Sequence, residues 1–380
     1  MVKVRSLVEA LRRKGHHSTV LTADLGLSSS NSASMKITRG EWGWESESEG
    51  IRTIYLSTLW KYRALTLNPG VLGFCRSHLK EFDLAHFYGL YDLLGPSAGR
   101  SCRQQGVPYV IEPMGMYRPI DRSFRKKRIW HRLFGEDFWH GASLIVATSE
   151  MEEQELFEDK VPRENLAVRY NGIEENLANA LPPRGLFRGK HGIPADEPVI
   201  LFLSRIIPRK GAEILVDAFS EVCRNRGWLV IAGPEGEPGY LAQIRKRARD
   251  TGVADKVIFP GALYGPEKLA AYADADIFAL PSRYENFANV AAEAVACDVP
   301  VIISRQCGIR SVIEGRAGLI IEPEKAALAS ALRSLLTDSV LYSRLKSGCR
   351  EVAEKLTWTE AATQMEALYE GVLGRRHANE

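Results

Sequence analysis

Val199–Leu203 reads VILFL, an apolar run with no polar break. A strand buried on one face alternates apolar and polar residues, whereas one buried on both faces does not. Similar short runs recur at Trp228–Ala232, Lys256–Phe259, Asp276–Leu280, Val299–Ile303 and Gly318–Ile321. Helical patterns separate most of them, at Ala212–Val222, Tyr240–Thr251, Pro266–Ala273 and from about Asn289. This repetition predicts an α/β fold with an open parallel sheet covered on both faces, and it puts any ligand outside the carboxyl ends of the strands. Glu324–Leu336, Val340–Val352 and Thr357–Tyr369 read as terminal helices.

The loops at those strand ends carry the candidate chemistry. After Val199–Leu203 come Arg205 and Lys210, cations placed to join free helix N–H groups around a diphosphate. Gly233 opens the turn after Trp228–Ala232. Within Leu280–Ser304, Glu285 and Glu293 form an E-x7-E pair, one on a loop and one in the following helix. Spacing alone leaves two readings open, a cleft pair that meets a ligand or two solvated side chains.

The first half is similar in kind but less regular. Val4–Lys14 has a helical stripe, and Ser18–Leu21 reads as a strand. Gly26–Gly50, rich in Ser, Gly and Glu, is expected to be a long loop. Ile51–Ser57, Phe82–Phe87, Pro108–Ile111, Ala142–Thr148 and Ala167–Tyr170 read as strands, with Asn68–Lys80 and Pro96–Gln105 as helices. His86, Met114 and Gly115 sit at strand ends, as a cleft requires; His86 also suits a structural role inside the core. Ser149 is placed to cap a helix, with Glu152 completing a capping box. Asp121–His140 mixes a basic run (Arg122, Arg125, Lys126, Lys127, Arg128, Arg132) with aromatics, which fits an anionic membrane surface or a helix with its apolar side on the sheet. Leu181–Pro198, with its prolines and glycines, reads as the linker between two domains.

Several classes are excluded or disfavoured. A chain of 380 residues accommodates two domains, and its net charge of +3 is too small for a nucleic-acid binder. Six dispersed cysteines without a CxxC predict neither a zinc site nor a disulfide framework, and a reducing compartment. No transmembrane run or signal-peptide core is visible, so a cytoplasmic protein, peripheral on the membrane's inner face at most, is expected. Neither GxGxxG at a domain's first strand nor GxxxxGK[ST] occurs, which argues against dinucleotide oxidoreductases and P-loop nucleotidases.

PSRYENFANVAAEAVACDVPVI resembles the E-x7-E segment of the retaining GT-B fold glycosyltransferases of family 4, which use sugar nucleotides. LSRIIPRKGAEILVDAF, LVIAGPEG and VIFPGALYGPEKLAAYADADIFALPS extend the resemblance, as do DLAHFYGL, GVPYVIEPMGMYRP and VRYNGIE in the first half. It implies two Rossmann-like domains facing each other across a cleft. Residues 1–180 would bind acceptor, with a helix near 357–372 packing back on them, and residues 181–356 would bind donor. The family's first strand and glycine-rich loop have no counterpart ahead of Val2–Leu21, so the first domain is expected to lack its first strand.

The resemblance also implies roles. Arg205 and Lys210 would hold the diphosphate, Glu285 the donor sugar and Glu293 the ribose hydroxyls. Asn286, Phe287, Ala288 and Asn289 would line the sugar and phosphate pocket, with Gly233 at the nucleotide's border. The substrate would be a UDP- or GDP-sugar, with no metal or other cofactor. A hexose would pass, with retention, to a glycan or lipid-linked acceptor in polysaccharide biosynthesis. Met114 stands where the family often has His or Arg, and Ala288 and Asp298 stand where it has glycines. The missing glycine-rich loop together with Met114 motivates an alternative, a nucleotide-sugar-binding protein or partner subunit with weak or no transfer.

Overall fold

The computed structural model describes residues 2–25, 27, 37–62, 65–118, 129–223 and 226–377. They form two compact units, Met1–Gly172 with Ala361–Glu380, and Ile173–Glu360. The expected edge at 180/181 therefore falls earlier. Ile173 explains this, because its N–H donates to Leu356 and its carbonyl accepts from Trp358, both in the second unit.

In the first unit, β1 (Thr19–Ala23) lies parallel to β4 (Ile51–Leu56). Two strands, β2 (Ile37–Arg39) and β3 (Gly43–Ser48), extend that sheet antiparallel, giving the order β1-β4-β3-β2. The expected loop over 26–50 is thus partly sheet, although 26 and 28–36 lie outside the described residues. Its signal was masked because β3, GWESES, carries charges where apolar residues would show alternation; Glu45 instead accepts from Arg52 across the ladder at 2.9 Å. A hairpin follows, β5 (Trp60–Tyr62) with β6 (Leu65–Leu67). A second, all-parallel sheet runs β10-β9-β8-β7, from β7 (Ala85–Tyr88), β8 (Tyr109–Glu112), β9 (Leu144–Ala147) and β10 (Leu166–Val168). Each sheet ends on an edge strand, β1 in one and β7 in the other, and no strand among the described residues joins them.

Of Asp121–His140, residues 121–128 lie outside the described residues. The remainder is helical, with a π-turn at His131–Gly135 leading into Glu136–His140. Trp130, Phe138 and Trp139 are buried in the core, while Ile129, Leu133 and Phe134 are exposed. The helix Trp358–His377 joins the first unit from Ala361 onward. There Glu366 accepts from Lys14 at 2.9 Å and lies 2.8 Å from His16 Nε2.

The second unit is one parallel sheet ordered β13-β12-β11-β14-β15-β16. Its strands are β11 (Val199–Leu203), β12 (Trp228–Ala232), β13 (Val257–Gly261), β14 (Ile277–Leu280), β15 (Val301–Ser304) and β16 (Gly318–Ile321). The unbroken VILFL run is central and all its side chains are buried, each contributing roughly 1.5–3 kcal/mol. The linker over 181–198 is a built part of this unit. It contains the helix Leu186–His191, and buried Arg188 donates to the carbonyls of Pro194, Glu197 and Asp274 and to Asp276 Oδ2.

Candidate active site

Numbered within the second unit's sheet, the strand order is 3-2-1-4-5-6, and it reverses between β11 and β14. Loops leaving adjacent strands at such a point diverge to opposite faces and open a crevice, where α/β folds bind ligands. Arg205 and Lys210 lie on the loop after β11, and Glu285 lies on the loop after β14.

Backbone bonds zip these loops together. Arg283 N–H donates to Arg209 O at 2.8 Å, and Ser282 Oγ to the same carbonyl at 3.1 Å. Gly211 allows this approach, because a Cβ there would stand 2.2 Å from Pro281 O. Gly233 has the same role on the other side. Its φ is +145° and a Cβ would stand 1.7 Å from Ser204 O, so only glycine lets the turn after β12 close on the loop after β11. Ile206 N–H then donates to Pro234 O and Gly236 N–H to Ile206 O.

The geometry brings Lys210 and Glu285 into contact, Nζ donating to Oε2. The Lys210 side chain is only 6% exposed and that of Glu285 21%. An ammonium has three donors, and Glu285 takes one, so charge and N–H capacity remain for an anion. Arg205 is exposed, with no hydrogen bond or ion pair to its side chain among the described residues. Glu285 is anchored by its backbone to the loop after β15, through Gln306 O at 2.9 Å and Gly308 N at 2.9 Å. Beside it, burial pushes the Cys307 thiol up to about 12, which makes it inert as a nucleophile at neutral pH.

Asn286 and Phe287 continue the loop into Ala288, which takes the left-handed conformation at φ 76° and starts the helix Asn289–Ala296. The family's glycine positions thus keep glycine-like backbone here, since Asp298 is also left-handed at φ 58°. The N–H groups of Ala288, Asn289 and Val290 have no acceptor among the described residues. Two buried oxygens nearby, Asn289 Oδ1 and Gln306 Oε1, have no donor there either. Open donors at a helix start favour an anion.

Glu293 lies in that helix. Its Oε2 accepts from Tyr272 Oη at 2.9 Å and Lys268 Nζ at 2.7 Å. Burial, with the Glu293 charge adding to it, raises the Tyr272 hydroxyl well above its usual range, so it stays a donor.

In the first unit His86 is buried. Its Nδ1 lies 2.7 Å from Tyr369 Oη and 3.1 Å from Tyr88 Oη, while Nε2 stands 3.8 Å from Glu112 Oε2, beyond hydrogen-bond reach. Burial, helped by the Arg169 charge, lowers His86 to about 3 and keeps it neutral. Glu112 accepts from buried Arg169 at 2.5 Å. This is the structural role for His86 rather than an open acceptor contact. Met114 and Gly115 form a left-handed pair, φ 55° and 75°, in the turn after β8. Ser149 Oγ accepts from Glu152 N at 3.2 Å, as a cap does. The Glu152 carboxylate also reaches Thr148 N at 2.8 Å and the Gly115 N–H, so it holds the Met114–Gly115 turn.

Two family models match the chain. Residues 2–172 match the "Glycosyl transferase 4-like domain" and residues 184–352 match "Glycosyl transferases group 1". A D-inositol 3-phosphate glycosyltransferase of Jonesia denitrificans is 32% identical over 76% of this chain and 72% of its own. The chain belongs to this glycosyltransferase family. Among solved structures, a Rickettsia africae glycosyltransferase superposes with TM-score 0.75 at 17% identity, over 97% of this chain and 94% of its own. Anabaena HepE, in complex with UDP and glucose, gives 0.73 at 18% identity, over 97% and 95%. These neighbours share the GT-B fold.

Sequence reasoning missed several residues that shape the sites of this glycosyltransferase. Lys268 and Tyr272, one helical turn apart, hold Glu293; their i,i+4 spacing was visible, but not what it faced. The Arg169–Glu112 pair gave no local signal, because its partners come from distant parts of the chain; Glu152 was expected in a capping box, but its bond to the Gly115 N–H was not. Among the described residues no group of three His, Cys, Asp or Glu side chains is arranged to hold a metal. No described helix is long and apolar enough to cross a membrane.

Proposed function

We propose that this glycosyltransferase moves a hexose, with retention, from a UDP- or GDP-sugar to a glycan or lipid-linked saccharide in polysaccharide biosynthesis. The observation that carries the donor half is the Lys210–Glu285 contact at the crevice between β11 and β14, beside the open N–H groups of Ala288–Val290. Glycosyl transfer builds positive charge on the sugar and negative charge on the departing phosphate. Lys210 and Arg205 offset the latter together with the open amides, and cations already in place do so without metal. Glu285 accepts from sugar hydroxyls, and Glu293 from the ribose. Retention follows from attack by the acceptor on the face the phosphate leaves. Asn286 and Phe287 shape the sugar pocket, and Gly233 borders the nucleotide.

The acceptor half rests on the first unit. Ile129, Leu133 and Phe134 present apolar surface, Arg132 is exposed beside them in the chain, and the sequence ahead carries the basic run 122–128, which suits an anionic membrane carrying a lipid-linked acceptor. Met114 and Gly115, fixed in their turn by Glu152, line the acceptor side.

Incubation with UDP- and GDP-hexoses and a panel of glycan and lipid-linked acceptors tests the reading. Nucleotide release and the anomeric signals of the product are followed by NMR. The expected result is an α-linked product from an α-linked donor. An inverted product overturns the mechanism. Nucleotide binding without transfer to any acceptor would favour the binding-protein alternative, for which Met114, unable to hydrogen-bond a sugar, is the motivating residue.

A further inference from the structure

Glu293 is held in one direction only. Tyr272 Oη and Lys268 Nζ both reach its Oε2, at 2.9 and 2.7 Å, while Oε1 has no partner among the described residues. The carboxylate is 23% exposed and the lysine 27%, so the open oxygen has access to solvent and the brace is partly shielded from it. Tyr272 is fully buried and also lies 3.1 Å from Val290 O, which ties it to the first turn of the Glu293 helix. Both bracing residues project from one helix, Gly265–Asp274, which follows β13.

A carboxylate that accepts from two vicinal hydroxyls gains only if it is oriented before binding and stays ionised. A free glutamate loses rotamer entropy on binding, of order 1.5–2 kcal/mol. Here that freedom is already spent in the fold. We propose that Lys268 and Tyr272 are positioning residues that aim Glu293 Oε1 at the ribose hydroxyls of the nucleotide and so set the discrimination between ribo- and deoxyribonucleotides. This inference rests on the donor-site reading, and it adds residues and a selectivity that reading does not contain.

Calorimetric affinities for UDP and 2′-deoxy-UDP, and for the guanosine pair, test it in five variants beside the wild type. Wild type should prefer the ribonucleotide by about tenfold, the scale of one hydrogen bond to a charged group. Lys268→Met, Tyr272→Phe and Glu293→Gln should each bring the preference close to one by weakening the ribonucleotide. Their affinity for the deoxynucleotide, which keeps the 3′-hydroxyl, should fall less than that for the ribonucleotide, and a thermal midpoint near that of wild type shows that each variant is folded. Lys268→Arg should keep the preference. Lys210→Ala should weaken both nucleotides alike. The proposal is overturned if Glu293→Gln loses the preference while Lys268→Met and Tyr272→Phe retain it. A different outcome sinks the donor-site reading itself, and the proposal with it: neither nucleotide pair binds wild type, or Lys210→Ala and Glu293→Gln both bind unchanged.

Discussion

His86 shows how burial decides a charge. Its ring nitrogen meets two tyrosine hydroxyls, and the Arg169 charge in the same buried cluster further disfavours the imidazolium. The native value is about 3, against about 6.5 in an unfolded chain. Between those values the unfolded state binds a proton that the native state does not, so stability rises with pH and is lost as pH falls below about 6.5. From pH 7 to pH 5 the loss from this one residue amounts to about 2 kcal/mol. Urea titrations of wild type and His86→Gln at both pH values should show that difference in slope. Equal pH dependence in the two proteins would refute the assignment. The sequence left His86 open between an acceptor contact and a core residue, since the deciding partner, Tyr369, lies near the far end of the chain.

At the scale of elements, the second unit's sheet was legible because its strands are buried on both faces and so carry a continuous apolar signal. The strands β2 and β3 were not, because their pairing partners supply charge complementarity, such as Arg52 to Glu45, instead of an apolar stripe. The segment 181–198 misled for another reason. Proline and glycine mark turns, but they say nothing of the helix Leu186–His191 or of Arg188, whose guanidinium donates to three carbonyls and a carboxylate. Those groups would be left buried without their donor in Arg188→Met. Breaking such a pair costs about 3–5 kcal/mol, so amide exchange in β11 and β14 should accelerate strongly, as read by mass spectrometry. Exchange at the wild-type rate would show that the segment is a passive tether after all.

At the scale of the molecule, two α/β units carry the proposed donor and acceptor sides. The candidate donor residues were named through the resemblance: Lys210, Glu285 and Glu293 fall on elements of one sheet, and strand order puts the first two at the reversal point. Their partners were not legible, because contacts such as Tyr272 to Glu293 arise only once helices pack. The first unit was read less fully, its parallel strands being split between two sheets. The central claim is that Lys210 and Glu285 mark a site for a nucleoside diphosphate that needs no metal. Titration calorimetry of UDP and GDP in the presence of EDTA, into wild type and Lys210→Ala, tests it most directly. One of the two nucleotides should bind wild type and bind Lys210→Ala at least about tenfold more weakly, the loss of a charge-assisted bond to phosphate. Absence of binding by both nucleotides, or equal affinity in the two proteins, would contradict it.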